Sequence, residues 1–139
     1  MKSKIILDTS PLVAFIDKSD HFHNWAVETW KTLPVPLLTC ESVISETCFL
    51  LQRTYGGKNA VMSLLDAGII SIAFHLKQEI PIIRGLMKRY ENVPMSLADA
   101  CLVRMSELIL GSSVLTIDSD FRIYRKNQNE IIDLIIVDQ

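Results

Sequence analysis

Cysteine is scarce in this chain: Cys40, Cys48 and Cys101 are the three among 139 residues. An odd count without short paired spacings argues against a disulfide framework or a zinc ribbon. All three stand among apolar neighbours, so buried free thiols are the simpler reading. Histidine is as rare, with His21 and His23 forming His-x-His and His75 alone, and no Cys/His combination completes a zinc set. Glycine and proline number five each, and no stretch is repeated, low in complexity or linker-like. No apolar run reaches the roughly 18–20 residues that a membrane span needs. The basic start, Met1-Lys2-Ser3-Lys4, leads into an apolar run that breaks at Asp8. That run is too short for a secretory signal, and the expectation is a cytoplasmic protein. Positive charge is not in excess either: 14 Lys and Arg face 16 Asp and Glu, a formal net charge of −2. A general nucleic-acid binder is usually basic. Any nucleic-acid contact must then rest on local patches, such as Arg84, Lys88, Arg89 and Arg104, or Arg122, Arg125 and Lys126, although such runs are more often solvated faces.

What the chain has in quantity is apolar side chains, 49% of all residues, with a mean hydropathy of +0.27. That suffices for one domain over residues 1–139 with a full core, and it leaves room for an apolar surface used in association. Short β-rich runs predict strands over 4–7, 37–39, 69–74, 113–117 and 134–137. Between them lie helical patterns. Ser10 and Pro11 read as N-cap and first residue of a short helix. Asp20 opens a second, through 33, ended by Pro34 and Pro36. Ser42 caps a third, to about 55, where Gly56-Gly57 stops it. Others cover 59–67, 77–90 and 96–111. Pro81 is acceptable only near the first turn of its helix. Ser96 and Asp99 form a start like a capping box, and 119–125 is a loop or short helix. Strands alternating with helices need crossover connections and a mainly parallel sheet, which makes the fold class α/β.

Four acids stand out against this pattern. Asp8 and Asp118 each follow a strand, where ligands bind in parallel sheets. Glu46 shares a helix face with Val43 and Leu50, and Asp99 shares one with Leu102 and Val103. Each has a duller explanation: Asp8 as a loop residue, Asp99 as an early helix residue favoured by the macrodipole, Asp118 as a turn residue. Glu46 is the hardest to explain this way, because a core-facing carboxylate is costly without a partner. Four such residues in the right elements can converge on one rim of the sheet. Clustered carboxylates repel one another and partly protonate unless a cation joins them. Mg²⁺ or Mn²⁺ suits an all-oxygen site and supports phosphodiester hydrolysis.

At these residues the chain resembles PIN-domain proteins, most nearly the VapC-type ribonuclease toxins of toxin–antitoxin pairs. Ile5-Ile6-Leu7-Asp8-Thr9-Ser10 is similar to the first motif of the family, and Ser45-Glu46 to the second acidic position. Ser96-Leu97-Ala98-Asp99-Ala100 resembles the third, and Thr116-Ile117-Asp118-Ser119-Asp120-Phe121 the fourth. The resemblance covers residues 5 to 121. It implies a Rossmann-like, three-layer α/β/α fold and Mg²⁺- or Mn²⁺-dependent cleavage of RNA. It also implies that Asp8, Glu46, Asp99 and Asp118 bind the metal, with Thr116 in support and Asp120 accessory. Ser10 either hydrogen-bonds a neighbouring carboxylate or serves as an N-cap. Family members of this type commonly form homodimers and are held by a small antitoxin. Val43, Phe49, Trp25 and Trp30 could serve a core or an interface, and a core suits most of them.

Two other classes fit less well. A haloacid-dehalogenase-like phosphatase would carry Asp-x-Asp where this chain has Asp8-Thr9-Ser10. A non-enzymatic, Mg²⁺-binding receiver module would carry an acid pair early in the chain, a phospho-acceptor Asp after the third strand and a Lys after the fifth; here Leu37–Thr39 is followed by Cys40-Glu41, and no Lys ends a late strand. Within the family, a housekeeping PIN nuclease without an antitoxin stays open.

Overall fold

Five short runs rich in Ile, Leu and Val pair side by side in a computed structural model, which describes residues 3–138. Met1, Lys2 and Gln139, the ends of the expected 1–139 domain, lie outside the described residues. In chain order the first elements are β1 (Ile5–Leu7), α1 (Thr9–Ile16), α2 (His23–Lys31), β2 (Leu37–Thr39), α3 (Glu41–Leu50), α4 (Gly57–Asp66) and β3 (Ile70–Ile72). Then come α5 (Leu76–Arg89), α6 (Leu97–Leu108), β4 (Ser113–Thr116), a short 3₁₀ helix (Ser119–Arg122), β5 (Arg125–Lys126), β6 (Glu130–Ile131) and β7 (Leu134–Ile136). The main sheet runs β3-β2-β1-β4-β7 with every neighbour parallel. The expected α/β architecture, three layers around a parallel sheet, is what the chain adopts.

Side-chain alternation along the strands builds two cores. Ile6 and Val114 face α5 and α6, packing with Ile83, Leu86, Leu102 and Met105. Ile5, Leu7, Leu37, Ile70 and Leu115 face the other way, against Leu12 of α1 and Trp30 of α2. Strands covered on both faces read as unbroken apolar runs, and parallel sheets require that. Because β1 is central and the chain winds outward from it both ways, the strand order reverses between β1 and β4. Crevices form beyond the carboxyl ends of strands at such a reversal.

Local starts differ from expectation in instructive ways. The N-cap of α1 is Asp8, not Ser10: its backbone is extended and its carboxylate accepts the Thr9 N–H at 2.7 Å. Cys40, not Ser42, occupies the N-cap position of α3, with extended backbone and no side-chain cap bond. Phe22 precedes α2, while the Asp20 carboxylate accepts the Phe22 N–H at 2.8 Å one turn earlier. In each case the chain enters its helix where the preceding strand or turn ends, and tertiary register overrides the side-chain preference. Pro81 sits inside α5 beyond its first turn, a milder break than the sequence rule allows. The third helix ends at Leu50, short of the expected stop at Gly56-Gly57, and Gly56, at φ +70°, instead takes the N-cap position of α4. The small antiparallel β5–β6 hairpin is an element that the sequence pattern did not announce, since two-residue strands carry no detectable period.

Of the four apolar residues left between core and interface, Val43 and Trp30 are buried and Trp25 packs against the core. Phe49 is the exception, 66% exposed, beside Leu50 at 54%. Among the described residues, no helix is long and apolar enough to cross a membrane.

Candidate functional site

Asp8 lies where β1 ends, and its own N–H bonds the carbonyl of Leu115 on β4 at 3.0 Å. This bond ties the two strands together at the point of reversal. Asp8 is 4% exposed. One carboxylate oxygen accepts the Thr9 N–H, and the other accepts the Thr116 hydroxyl at 2.6 Å. Thr116 in turn accepts the Asp118 N–H at 2.9 Å. One hydroxyl thus sets the carboxylate of Asp8 and the backbone of Asp118. The carboxylate of Asp118 accepts the Asp120 N–H at 2.9 Å and caps the 3₁₀ helix. Burial pushes the carboxyl of Asp8 up to about 7, against the pull of its hydrogen bonds, and Asp99 and Asp118 add to the rise.

Asp99 is the third residue of α6, in a complete capping box with Ser96. Ser96 Oγ accepts the Asp99 N–H, and Asp99 Oδ2 accepts the Ser96 N–H, both at 3.0 Å. Burial raises its pKa foremost, and the charges of Asp118 and Glu46 raise it further. Asp120 is half-buried, and its carboxyl is raised by burial and by Asp118.

The four acids anticipated from sequence, Asp8, Glu46, Asp99 and Asp118, therefore share one electrostatic neighbourhood at the end of the sheet. Glu46 does so differently from expectation. It is exposed, because the buried stripe of α3 runs through Val43 and Thr47, one position round the helix. Leu50, which shares its face, is exposed with it. Glu46 needs no buried partner, since it stands in water at the rim. It lines a cavity of about 320 Å³ with Thr9, Ser10, Phe22, Leu50 and Ile117.

Two contributors were not anticipated. Tyr124 is fully buried and donates its hydroxyl to Asp99 Oδ2 at 3.4 Å, inside an aromatic cluster with Tyr90 and Phe121. Thr9 Oγ1, beside Asp8, is buried without a hydrogen-bond partner among the described residues. The Tyr124 contact spans 25 residues and leaves no local signal. The expected basic patches divide. Arg84, Lys88 and Arg89 are exposed, but Arg104 is ion-paired with Glu79 at 3.3 Å and Glu107 at 3.1 Å. Arg125 closes the carbonyls of residues 122–124.

Among the described residues, no three His, Cys, Asp or Glu side chains stand close enough together to make a ready-made metal cage. Mg²⁺ does not demand one: it keeps several waters and binds through one or two carboxylates. The donor set here is all oxygen, the kind that hard divalent cations take. The Thr9 hydroxyl lies in the wall of the cavity that Glu46 lines.

No curated protein matches the chain. Solved structures do. Mycobacterium tuberculosis VapC20, described as a sarcin-ricin loop cleaving toxin, superposes with a TM-score of 0.71 over 84% of this chain and 92% of its own, at 22% sequence identity. That likeness carries the fold. A family model described as the PIN domain matches residues 5–127, nearly the whole chain, from β1 through the acids to the start of the hairpin. The chain belongs to the PIN domain family.

Proposed function

We propose that this protein is a metal-dependent endoribonuclease of VapC type, a single nuclease domain whose activity a small antitoxin restrains. The observation that carries the reading is Asp8, a carboxyl buried at a strand end with both oxygens held and its pKa raised to about 7. A fold retains such a group where something positive is meant to share it. Membership of the PIN family supports nuclease chemistry, and the fold it shares with a sarcin-ricin loop cleaving toxin supports RNA as substrate.

In this reading Asp8, Glu46, Asp99 and Asp118 hold Mg²⁺ or Mn²⁺. When bound, the ion supplies an activated water and charge stabilisation for the scissile phosphate. Thr116 orients Asp8 and Asp118. Tyr124 and Ser96 hold Asp99 in one rotamer. Asp120 adds negative charge at the edge, and Ser10 lines the approach to Glu46. The exposed Phe49 and Leu50 on α3 offer apolar surface to a second copy of the chain or to the antitoxin. The protein acts in the cytoplasm.

The test is cleavage of RNA by purified protein with Mg²⁺ or Mn²⁺ against EDTA, beside Asp99→Asn. Metal-dependent cleavage that the substitution lowers at least about 100-fold, with the fold kept, is the expected result. A folded Asp99→Asn protein of undiminished activity would overturn the assignment.

A further inference from the structure

The cavity of about 320 Å³ that Glu46 lines is walled by Val13, Phe22, Leu50 and Ile117, all apolar. Thr9 and Ile117 in its wall directly follow Asp8 and directly precede Asp118, so the cavity adjoins the acids. Its polar groups are of two kinds. Thr9 and Ser10 bring hydroxyls, and that of Thr9, a residue 3% exposed, is buried without a partner among the described residues. A buried polar group left unsatisfied is costly, and an occupant of the cavity can supply the bond. Asp20 and Glu46 bring carboxylates, which only accept when ionised. Among the described residues that line the cavity, none is basic. A phosphate entering it would meet two like charges and no cation. A flat, uncharged group that stacks on a ring and donates N–H bonds suits it, and an unstacked base of a single strand is such a group. The half-buried Phe22 is held in place for this. The Asp20 carboxylate accepts its N–H at 2.8 Å, its carbonyl accepts the Ala26 N–H at 2.9 Å, and its ring meets His21 T-shaped with centroids 4.7 Å apart. A ring already fixed loses little freedom when a base stacks on it.

We propose that this cavity receives the base of the nucleotide next to the scissile phosphate, stacked on Phe22 with an amino group toward the Asp20 carboxylate. Adenine, cytosine and guanine carry such a group, and uracil does not. Carboxylates accept from amino edges of bases in this way. Phe22 and Asp20 then choose which nucleotide stands at the acids, while the acids themselves serve any phosphate. That a strand brings the base rests on the nuclease reading; that the cavity holds a base does not.

The experiment titrates the full-length protein, without metal, with adenosine, cytidine, uridine, ribose 5-phosphate and acetyl-arginine amide, following the methyl NMR signals of Val13, Leu50 and Ile117. Adenosine and cytidine are expected to shift these signals saturably, and uridine and ribose 5-phosphate far less. Phe22→Ala is expected to weaken that binding roughly 10-fold, and with Mg²⁺ to lower kcat/KM for RNA cleavage by a similar factor, as loss of one stacked base predicts. Phe22→Trp should restore both. Signals that no nucleoside moves, uridine bound as tightly as the others, or a response to the sugar phosphate alone would each overturn the proposal. Tighter binding of acetyl-arginine amide than of any nucleoside would also overturn it, and would assign the cavity to a basic side chain of a protein partner. Nucleoside binding without cleavage of any RNA would uphold the base site and sink the nuclease reading. Unchanged cleavage by a folded Phe22→Ala protein would do the reverse. The wild-type titration decides the matter even where Phe22→Ala does not fold.

Discussion

At the scale of single residues, Thr116 is the pivot of the acidic end. Its hydroxyl donates to Asp8 and accepts from the backbone of Asp118, so one side chain sets two strand-end acids at once. Thr116→Val keeps the shape and removes both bonds. Loss of about 1–3 kcal/mol in urea unfolding is expected from the stranded partners. A fall in RNA cleavage of roughly 10–100-fold is expected from the misplaced carboxylate, and Thr116→Ser should recover most of it. Asp8 itself gives a pH dependence. Its folded pKa, about 7, stands above the unfolded 3.8, mainly through burial. Below about pH 4 the group is protonated in both states and the full stability is present. Between about pH 4 and pH 7 the unfolded chain ionises first, and metal-free stability falls. Asp8→Asn should flatten that fall, so its melting temperature should exceed the wild type's by more at about pH 8 than at about pH 5. An equal difference at both values would show that Asp8 ionises freely in the folded state.

At the scale of elements, the acids are placed by how helices begin. Asp8 caps α1, Asp118 caps the 3₁₀ helix, and Asp99 closes the capping box of α6. Each therefore does local work that holds it at a helix start, where backbone N–H groups and the macrodipole favour negative charge. The structure bears out the plain explanation of Asp99 as an early helix residue, and the proposed site would draw on the same helix starts. Ser96→Ala removes the reciprocal acceptor. It should cost about 1 kcal/mol in chemical denaturation and lower cleavage as Asp99 loosens, while Ser96→Asp should retain the stability. Arg104 shows the opposite lesson. A basic residue in a charge run proves to be a clasp, drawing Glu79 of α5 and Glu107 of α6 together.

At the scale of the whole molecule, the sheet order puts β1 and β4 side by side and brings their end carboxylates near each other at one end of the sheet. Repulsion among them is a standing cost to the metal-free fold, and a divalent cation that binds only the folded state repays it by mass action. Millimolar Mg²⁺ or Mn²⁺ should raise the melting temperature, by the equivalent of about 2.7 kcal/mol at one hundred times the dissociation constant. EDTA should reverse the rise, and Asp8→Asn should blunt it. A scan unchanged by either metal would argue against a shared cation at the sheet end.

The sequence by itself determined the alternation of strands and helices, the parallel sheet, and three of the four acidic positions as strand-end or helix-start features. Those properties rest on short-range chemistry: apolar runs, caps, and the period of buried faces. Thr116 was legible only through the resemblance of residues 116–121 to a family motif. Only the tertiary structure decided the rest. It placed Glu46 in water at the rim, because the face of α3 that is buried depends on what packs against it. It brought Tyr124 to Asp99, a contact between residues far apart in the chain that no local pattern encodes. It also moved the helix starts to Asp8 and Cys40, because the registers of β1 and β2 settle where each strand must end, and a cap preference of about 1 kcal/mol does not outweigh a buried sheet.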